Sequence, residues 1–121
     1  MSDLDTAKSQ KLVFDVRKSA TRLADNHIVG VSRVPKFGTV FTDHMVDICW
    51  SEKGGWHRPR VQPYGPIPLD PAASVLHYGQ EIFEGMKAYR HADGSIWTFR
   101  PDQNALRFQS SARRMALPEL P

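Results

Sequence analysis

Four chemically different residues occupy alternate positions in the stretch LHYGQEIFEGMKAYR, residues 76–90. Phe83, Gly85, Lys87 and Tyr89 supply a ring, a bare backbone, an ammonium group and a phenol. In a β-strand all four would share one face, because successive side chains point to opposite sides. Gly85 would then form a floor on which a flat ligand can approach the backbone closely. The alternative is a half-buried strand with a glycine bulge and no ligand.

A second set of polar residues lies on the helix predicted to follow. Arg107, Ser111 and Arg114 fall at positions i, i+4 and i+7, which places them on one side of a helix. Two guanidinium groups and a hydroxyl can hold a phosphate through planar, bidentate hydrogen bonds. The alternative is a solvated polar face, the usual situation of arginines on an amphipathic helix.

Residue spacing and charge argue against other kinds of site. The five histidines lie far apart and no Cys-x-x-Cys motif is present, so we predict no metal site. The phosphate-binding patterns GxxxxGK[ST] and GxGxxG and the nucleophile pattern GxSxG are also missing from the sequence. The net charge of +3 is spread along the chain, whereas nucleic-acid binding requires a concentrated basic face. The mild basic excess suits a small anionic ligand, and the alternative is that it serves solubility alone.

Composition predicts one soluble domain. The chain has 121 residues, of which 40% are hydrophobic and 24% charged, and this length is sufficient for one hydrophobic core. No apolar run reaches the ~20 residues that a membrane span needs, and the start MSDLDTAKSQ does not resemble a secretory signal. The single cysteine, Cys49, cannot form an internal disulfide. We therefore expect a cytoplasmic protein with no membrane partner.

The elements that would position the polar groups begin with two β-hairpins. The first pairs HMVDICWS with WHRPRVQPYGPIPLDP through a turn at EKGGW, and the prolines of the second arm predict an edge strand or an extended loop. The second hairpin is predicted as a strand from about Glu81 to Arg90, an HADG turn at 91–94 and a return strand at 95–99. Between the hairpins, AASVLHYG predicts one or two helical turns with Asp70 as the N-cap.

A substantial helix is predicted after the second hairpin. Pro101 suits its first turn, and Ala105, Phe108, Ala112 and Met115 recur at spacings of three and four as an apolar stripe. Two prolines in ALPELP end it. The fold class is therefore α+β, with antiparallel hairpins and a C-terminal helix. We expect residues 1–36 to form a partly ordered N-terminal leader and residues 37–121 to form one small domain.

Three stretches, FGTVFTDHM, LHYGQEIFEGMKAYR and FRPDQNALRFQSSARR, together resemble the branched-chain amino acid aminotransferases. They occur in the order that the family has, and the resemblance spans about residues 37–121. It implies a class IV enzyme that depends on pyridoxal 5'-phosphate, with the D-amino-acid-transaminase-like fold called fold type IV. Only the smaller N-terminal domain of that fold is covered.

The resemblance also implies roles for individual residues. Arg107 corresponds to the arginine that binds the cofactor phosphate. Phe83 and Phe37 correspond to aromatic walls of the aliphatic side-chain pocket, and Gly85 looks onto the same cavity. Tyr78 corresponds to a tyrosine that is presented across a dimer interface to the partner's active site. These four substrate-side residues and Arg107 are the candidate site, and Lys87 receives no firm role.

The implied activity is transfer of the amino group of Leu, Ile or Val to 2-oxoglutarate, which yields glutamate and a branched 2-oxo acid, by a homodimer. The reaction needs a Schiff-base lysine. None of the six lysines here lies in the family's Schiff-base context, and the resemblance places that lysine in a larger domain beyond Pro121. We therefore assign no catalytic residue and expect this stretch alone to be inactive.

Two alternatives remain at this point. One is another class IV activity, such as D-amino acid transamination or aminodeoxychorismate lysis. The FTDHM segment and the aromatic walls argue against it. The other is a non-catalytic role, in which the domain acts as a binding or dimerising module.

Overall fold

The computed structural model describes residues 12–24, 27, 28, 30 and 38–121. The chain divides into two compact units, one ending at Pro68 and the other beginning at Leu69. Both contain β-strands. Helical residues occur in both as well, so the described residues form the predicted α+β fold.

A three-stranded mixed sheet forms the first unit. Strand β2 (His44–Ser51) and strand β3 (Gly55–Pro63) make the predicted hairpin, with Val46 opposite Val61. The turn between them is closed by a hydrogen bond from the Gly54 amide to Ser51 Oγ at 3.1 Å. Strand β1 (Asp15–Val16) pairs in parallel with the other edge of β3. The strand order is therefore β1, β3, β2.

The prediction for the proline-rich arm was wrong for residues 56–63, because β3 is the central strand of this sheet. Residues 64–71 belong to no helix or strand, in agreement with the loop alternative. The pairing shifts register between Asp47 and Cys49, so that Arg58 and Pro59 together face one residue of β2. Arg58 adopts the left-handed conformation, with φ of 53°, which in a G1 bulge is normally the conformation of a glycine. Since a bulged residue leaves the hydrogen-bond ladder, the missing amide hydrogen of Pro59 is tolerated there.

The second unit contains the stretch LHYGQEIFEGMKAYR. Helix α1 (Ser74–Tyr78) is followed by the hairpin of β4 (Ala88–Arg90) and β5 (Ile96–Thr98), and then by helix α2 (Pro101–Arg114). The predicted turn between β4 and β5 is confirmed: the His91 amide donates to the Ser95 carbonyl at 2.9 Å. Asp70 does not cap α1, whose N-cap is Ala73, but accepts the Ala72 amide in the turn just before it.

The predicted strand from Glu81 to Arg90 is regular only from Ala88 onward. Its return arm leaves the hairpin after Thr98 and enters α2, so residues 81–87 have no strand partner in this unit. They run antiparallel to α2 instead. Gln80 donates to the carbonyl of Met115 near the end of the helix, and the Gly85 carbonyl accepts from Asn104 near its start.

Helix α2 matches its predicted bounds and has well-defined ends. Pro101 occupies its first turn, and Asp102 there complements the positive end of the helix dipole. At the other end the Leu117 amide donates to Ala112 and the Ala116 amide to Arg113. These two hydrogen bonds together form a Schellman motif. Ala116 is the residue of this motif that adopts the left-handed backbone conformation, with φ of 53°.

Few described residues are enclosed. Ala112 of α2 is the only one of them that is almost fully buried, so the single core expected from chain length is not seen in the described part. Large apolar side chains remain exposed on both units. Within the same part of the chain, no helix has the length and apolar character needed to cross a membrane.

Candidate functional site

An open concavity of about 440 Å³ lies between the first turns of α2 and the preceding segment of the second unit. We call it the cationic concavity, because three of its lining residues, Lys87, Arg100 and Arg107, are positively charged. The other lining residues supply amides, rings and a glycine: Gly85, Met86, Tyr89, Phe99, Gln103 and Asn104. Arg100 has left-handed backbone angles as the N-cap of α2. The chemistry of this lining suits an anionic ligand with a flat part.

Arg107 is held in this concavity by Glu84. Its Nε donates to Glu84 Oε2 at 2.6 Å, and its Nη2 donates to Glu84 Oε1. Asn104 Nδ2 also donates to Glu84 Oε1, at 2.8 Å. The Glu84 side chain is only 14% exposed, whereas that of Arg107 is 63% exposed. The carboxylate therefore lies behind the guanidinium, which reaches the surface of the concavity.

The electrostatics of the pair agree with this geometry. Hydrogen bonds from Arg107, and then from Asn104, lower the pKa of Glu84 from 4.5 to about 2. The same carboxylate raises the pKa of Arg107. Both groups thus remain charged throughout the neutral range, and one of the three positive charges around the concavity is balanced by Glu84.

A second concavity of about 430 Å³ lies further along α2. We call it the Phe83 concavity. It is lined by Ile82, Phe83, Ser110, Ser111, Arg114 and Met115. Gly85 lies at the boundary of the two concavities: it lines the first, and a Cβ placed on it would lie 3.5 Å from Phe83 Cε1 and Cζ.

The structure brings together some of the predicted residues and separates others. Arg107 and Gly85 line the same concavity, whereas Ser111 and Arg114 line the other, so the three polar residues of α2 do not form one set. Phe83 is 87% exposed, and its ring contacts the position of Gly85.

Two further candidates stand apart from the two concavities. Tyr78, the last residue of α1, is 86% exposed and lines neither of them. Phe37 lies outside the described residues.

The sequence of this chain is similar to those of known aminotransferases. No family model matches the chain. The branched-chain-amino-acid aminotransferase of Mycobacterium tuberculosis is 57% identical over 113 residues, which is 93% of this chain and 31% of the relative. A probable branched-chain-amino-acid aminotransferase of Streptomyces coelicolor is 54% identical over 108 residues, 89% of this chain and 30% of the relative. The cytosolic enzyme of Mus musculus is 52% identical over 82 residues.

The chain belongs to the branched-chain aminotransferase family. It corresponds to the N-terminal part of these relatives and spans about 30% of the length of the bacterial ones. The resemblance drawn from three short motifs is thereby confirmed over most of the chain.

Sequence reasoning about this aminotransferase chain missed Glu84, Asn104 and Arg100. Glu84 lies off the alternating face and 23 positions from Arg107, a separation that carries no periodic signal. The sequence did carry a signal for Asn104, because this residue precedes Arg107 by three positions and so lies on the same side of α2. Among the described residues, no group of three or more His, Cys, Asp or Glu side chains is arranged to hold a metal ion.

Proposed function

We propose that this chain forms the cofactor-phosphate site and part of the substrate pocket of a branched-chain aminotransferase that depends on pyridoxal 5'-phosphate. The observation that supports this most strongly is Arg107, which lies in a concavity with two further cations and a glycine floor. The names of the relatives supply the reaction class. The proposed fold is the small N-terminal domain of the class IV, fold type IV enzymes, with residues 1–36 as a leader and 37–121 as that domain.

The lining of the cationic concavity fits a phosphorylated, planar cofactor. Arg107 can bind phosphate oxygens through paired N–H donors, and Lys87 and Arg100 line the same concavity. When bound, pyridoxal phosphate supplies the electron sink that amino transfer requires. The role of Arg107 is to bind and orient the phosphate. Gly85 gives the planar part access to the backbone.

The proposed substrates are Leu, Ile and Val with 2-oxoglutarate, and the products are glutamate and the branched 2-oxo acids. Phe83 and Phe37 would wall the aliphatic side chain, and Tyr78 would complete the pocket of a partner in a homodimer. Each buried methylene contributes ~0.8 kcal/mol to binding in such a pocket. The exposure of Phe83 and Tyr78 in this chain is consistent with surfaces that are covered in the complete active site.

None of the six lysines is assigned as the Schiff-base lysine, and no catalytic residue is proposed within the chain. Following the resemblance, which implies a lysine in a larger domain for this role, we propose no residue of this chain for proton transfer at the substrate α carbon. We expect the isolated chain to form no glutamate from leucine and 2-oxoglutarate when pyridoxal phosphate is supplied. The proposed location of the complete enzyme is the cytoplasm.

A chimeric enzyme tests the function directly. The matching N-terminal stretch of the Mycobacterium tuberculosis aminotransferase would be replaced by this chain, and leucine-dependent formation of glutamate would be measured. We expect an active enzyme that prefers Leu, Ile and Val to D-alanine. A folded, cofactor-loaded chimera that transfers no amino group from any branched amino acid would contradict the proposal.

A further inference from the structure

The ion pair between Glu84 and Arg107 uses only one edge of the guanidinium. The Nε and Nη2 atoms donate to the two carboxylate oxygens. A guanidinium has five N–H donors in one plane, so three remain: one on Nη2 and two on Nη1. These three make no hydrogen bond to the described residues. They form the other edge of the fork, which has the geometry for bidentate binding of a phosphate.

Glu84 is itself fixed from two directions. Asn104 Nδ2 donates to Glu84 Oε1 at 2.8 Å and to the Gly85 carbonyl at 2.9 Å, which ties the carboxylate and the backbone beside it to α2. Asn104 and Arg107 lie one turn apart on that helix. Since the carboxylate is mostly enclosed and the guanidinium mostly exposed, the pair limits the rotation of Arg107 without covering its outer edge.

We propose that Glu84 is a positioning residue that orients the Nη1/Nη2 edge of Arg107 toward the cofactor phosphate. This inference rests on the proposed function and adds the residue that makes the phosphate site rigid. An arginine that is already oriented loses less side-chain entropy on binding than one that is free to rotate. Lys87 and Arg100 keep the concavity positive although Glu84 balances the charge of Arg107.

A competing role for the Glu84 carboxylate predicts a change in phosphate affinity of the opposite sign. If Glu84 occupied Arg107 in place of the phosphate, its removal would free donors and remove a negative charge, and phosphate would bind more tightly. The positioning role predicts weaker binding instead, because the lost bonds release the guanidinium. The sign of the change therefore decides between the two.

The experiment follows the backbone amide resonances of Gly85, Lys87 and Arg100, which line the cationic concavity, by NMR in the 121-residue chain while inorganic phosphate is added. We expect a saturable shift of these resonances in the parent chain. Glu84→Gln should weaken phosphate binding about fivefold, since hydrogen bonds to a charged group are lost at a partly exposed site. Glu81→Gln, a substitution of an exposed acid in the same segment, should leave the affinity unchanged. Arg107→Lys should abolish the response of the site.

Unchanged or tighter phosphate binding in Glu84→Gln would overturn the positioning role. If that variant fails to fold, Glu84→Asp takes its place, because the shorter carboxylate should also release the Nε/Nη2 edge and weaken binding. If Arg107→Lys no longer responds to phosphate, and the Glu84 variants bind phosphate as tightly as the parent chain does, only the positioning role of Glu84 is refuted. No response in the parent chain, or full binding by Arg107→Lys, would refute the phosphate site of the proposed function together with the inference.

Discussion

Replacement of Gly85 by alanine should affect stability and cofactor binding in opposite directions. The added Cβ would lie 3.5 Å from two atoms of the Phe83 ring, which is an ordinary van der Waals distance, and Gly85 does not have a positive φ. The folded state therefore accepts the methyl group without strain. Because alanine reduces the conformational entropy of the unfolded chain, we expect a gain of about 0.4–1 kcal/mol in the free energy of unfolding.

Because Gly85 lines the cationic concavity, we expect the same methyl group to hinder close approach of a ligand to the backbone there. A planar ligand that approaches the backbone there must shift or overpack, which typically costs about 1–3 kcal/mol. The expected loss in affinity for pyridoxal phosphate is therefore about 5- to 150-fold. This loss would arise although the protein is more stable, so it cannot be attributed to unfolding.

Thermal unfolding of the chain and cofactor titration of the chimera measure the two effects. The expected rise in melting temperature for Gly85→Ala is roughly 2–5 °C. Gly79→Ala is the matched control: Gly79 has φ of 58° and nothing within 4 Å of its Cβ position, so it should lose about 1 kcal/mol of stability and keep its cofactor affinity. A destabilised Gly85→Ala variant, or one that binds the cofactor as tightly as the parent, would refute the reasoning.

Three further outcomes follow from the structure. Ala116→Gly should raise the free energy of unfolding by about 0.5–1 kcal/mol in urea titrations, because Ala116 has φ of 53° at the Schellman position; a loss of stability would contradict this. Ala112→Leu should lower it by about 1–3 kcal/mol, since Ala112 is 1% exposed; a neutral result would show that the site can expand. In the folded chain the pKa of Glu84 is lowered from 4.5 to about 2. Its ion pair therefore contributes stability that is present above pH 4.5 and is lost as the pH falls through about 2. Thermal melts across this range should show a weaker pH dependence of stability for Glu84→Gln than for the parent.

Local sequence signals were sufficient for the elements that local contacts form. The glycine pair before Trp56 and the Asp93-Gly94 turn each predicted a hairpin that the structure contains. Pro101 and the apolar spacing after it predicted α2 with its observed bounds. In each case the residues that determine the conformation lie within a few positions of one another.

Pairings between distant segments were not predictable in the same way. Strand β1 joins β3 across about 45 positions with only two paired residues. The tolerance of Pro59 in a central strand depends on a bulge formed with the opposite strand. The segment 81–87 alternates like a strand, yet its neighbour is a helix, because β5 ends before it can supply a partner.

The candidate site was likewise predictable only in part. Arg107 and Gly85 were singled out by residue spacing and then by motif resemblance, and the structure places them around one concavity. The carboxylate that holds Arg107 was not found, because a pairing between a loop residue and a helix residue has no characteristic spacing. The separation of Ser111 and Arg114 from Arg107 likewise depends on how residues 81–87 cross the helix.

The central claim is that Arg107 binds the phosphate of the cofactor, and one comparison tests it most directly. The affinities of the chimeric enzyme for pyridoxal 5'-phosphate and for pyridoxal would be measured in Arg107→Gln and in Arg114→Gln, a matched substitution on the same helix. We expect Arg107→Gln to weaken binding of the phosphorylated form by about tenfold or more while pyridoxal binding is unchanged, and Arg114→Gln to alter neither. Equal preference for the phosphorylated form in the parent and in Arg107→Gln would contradict the account.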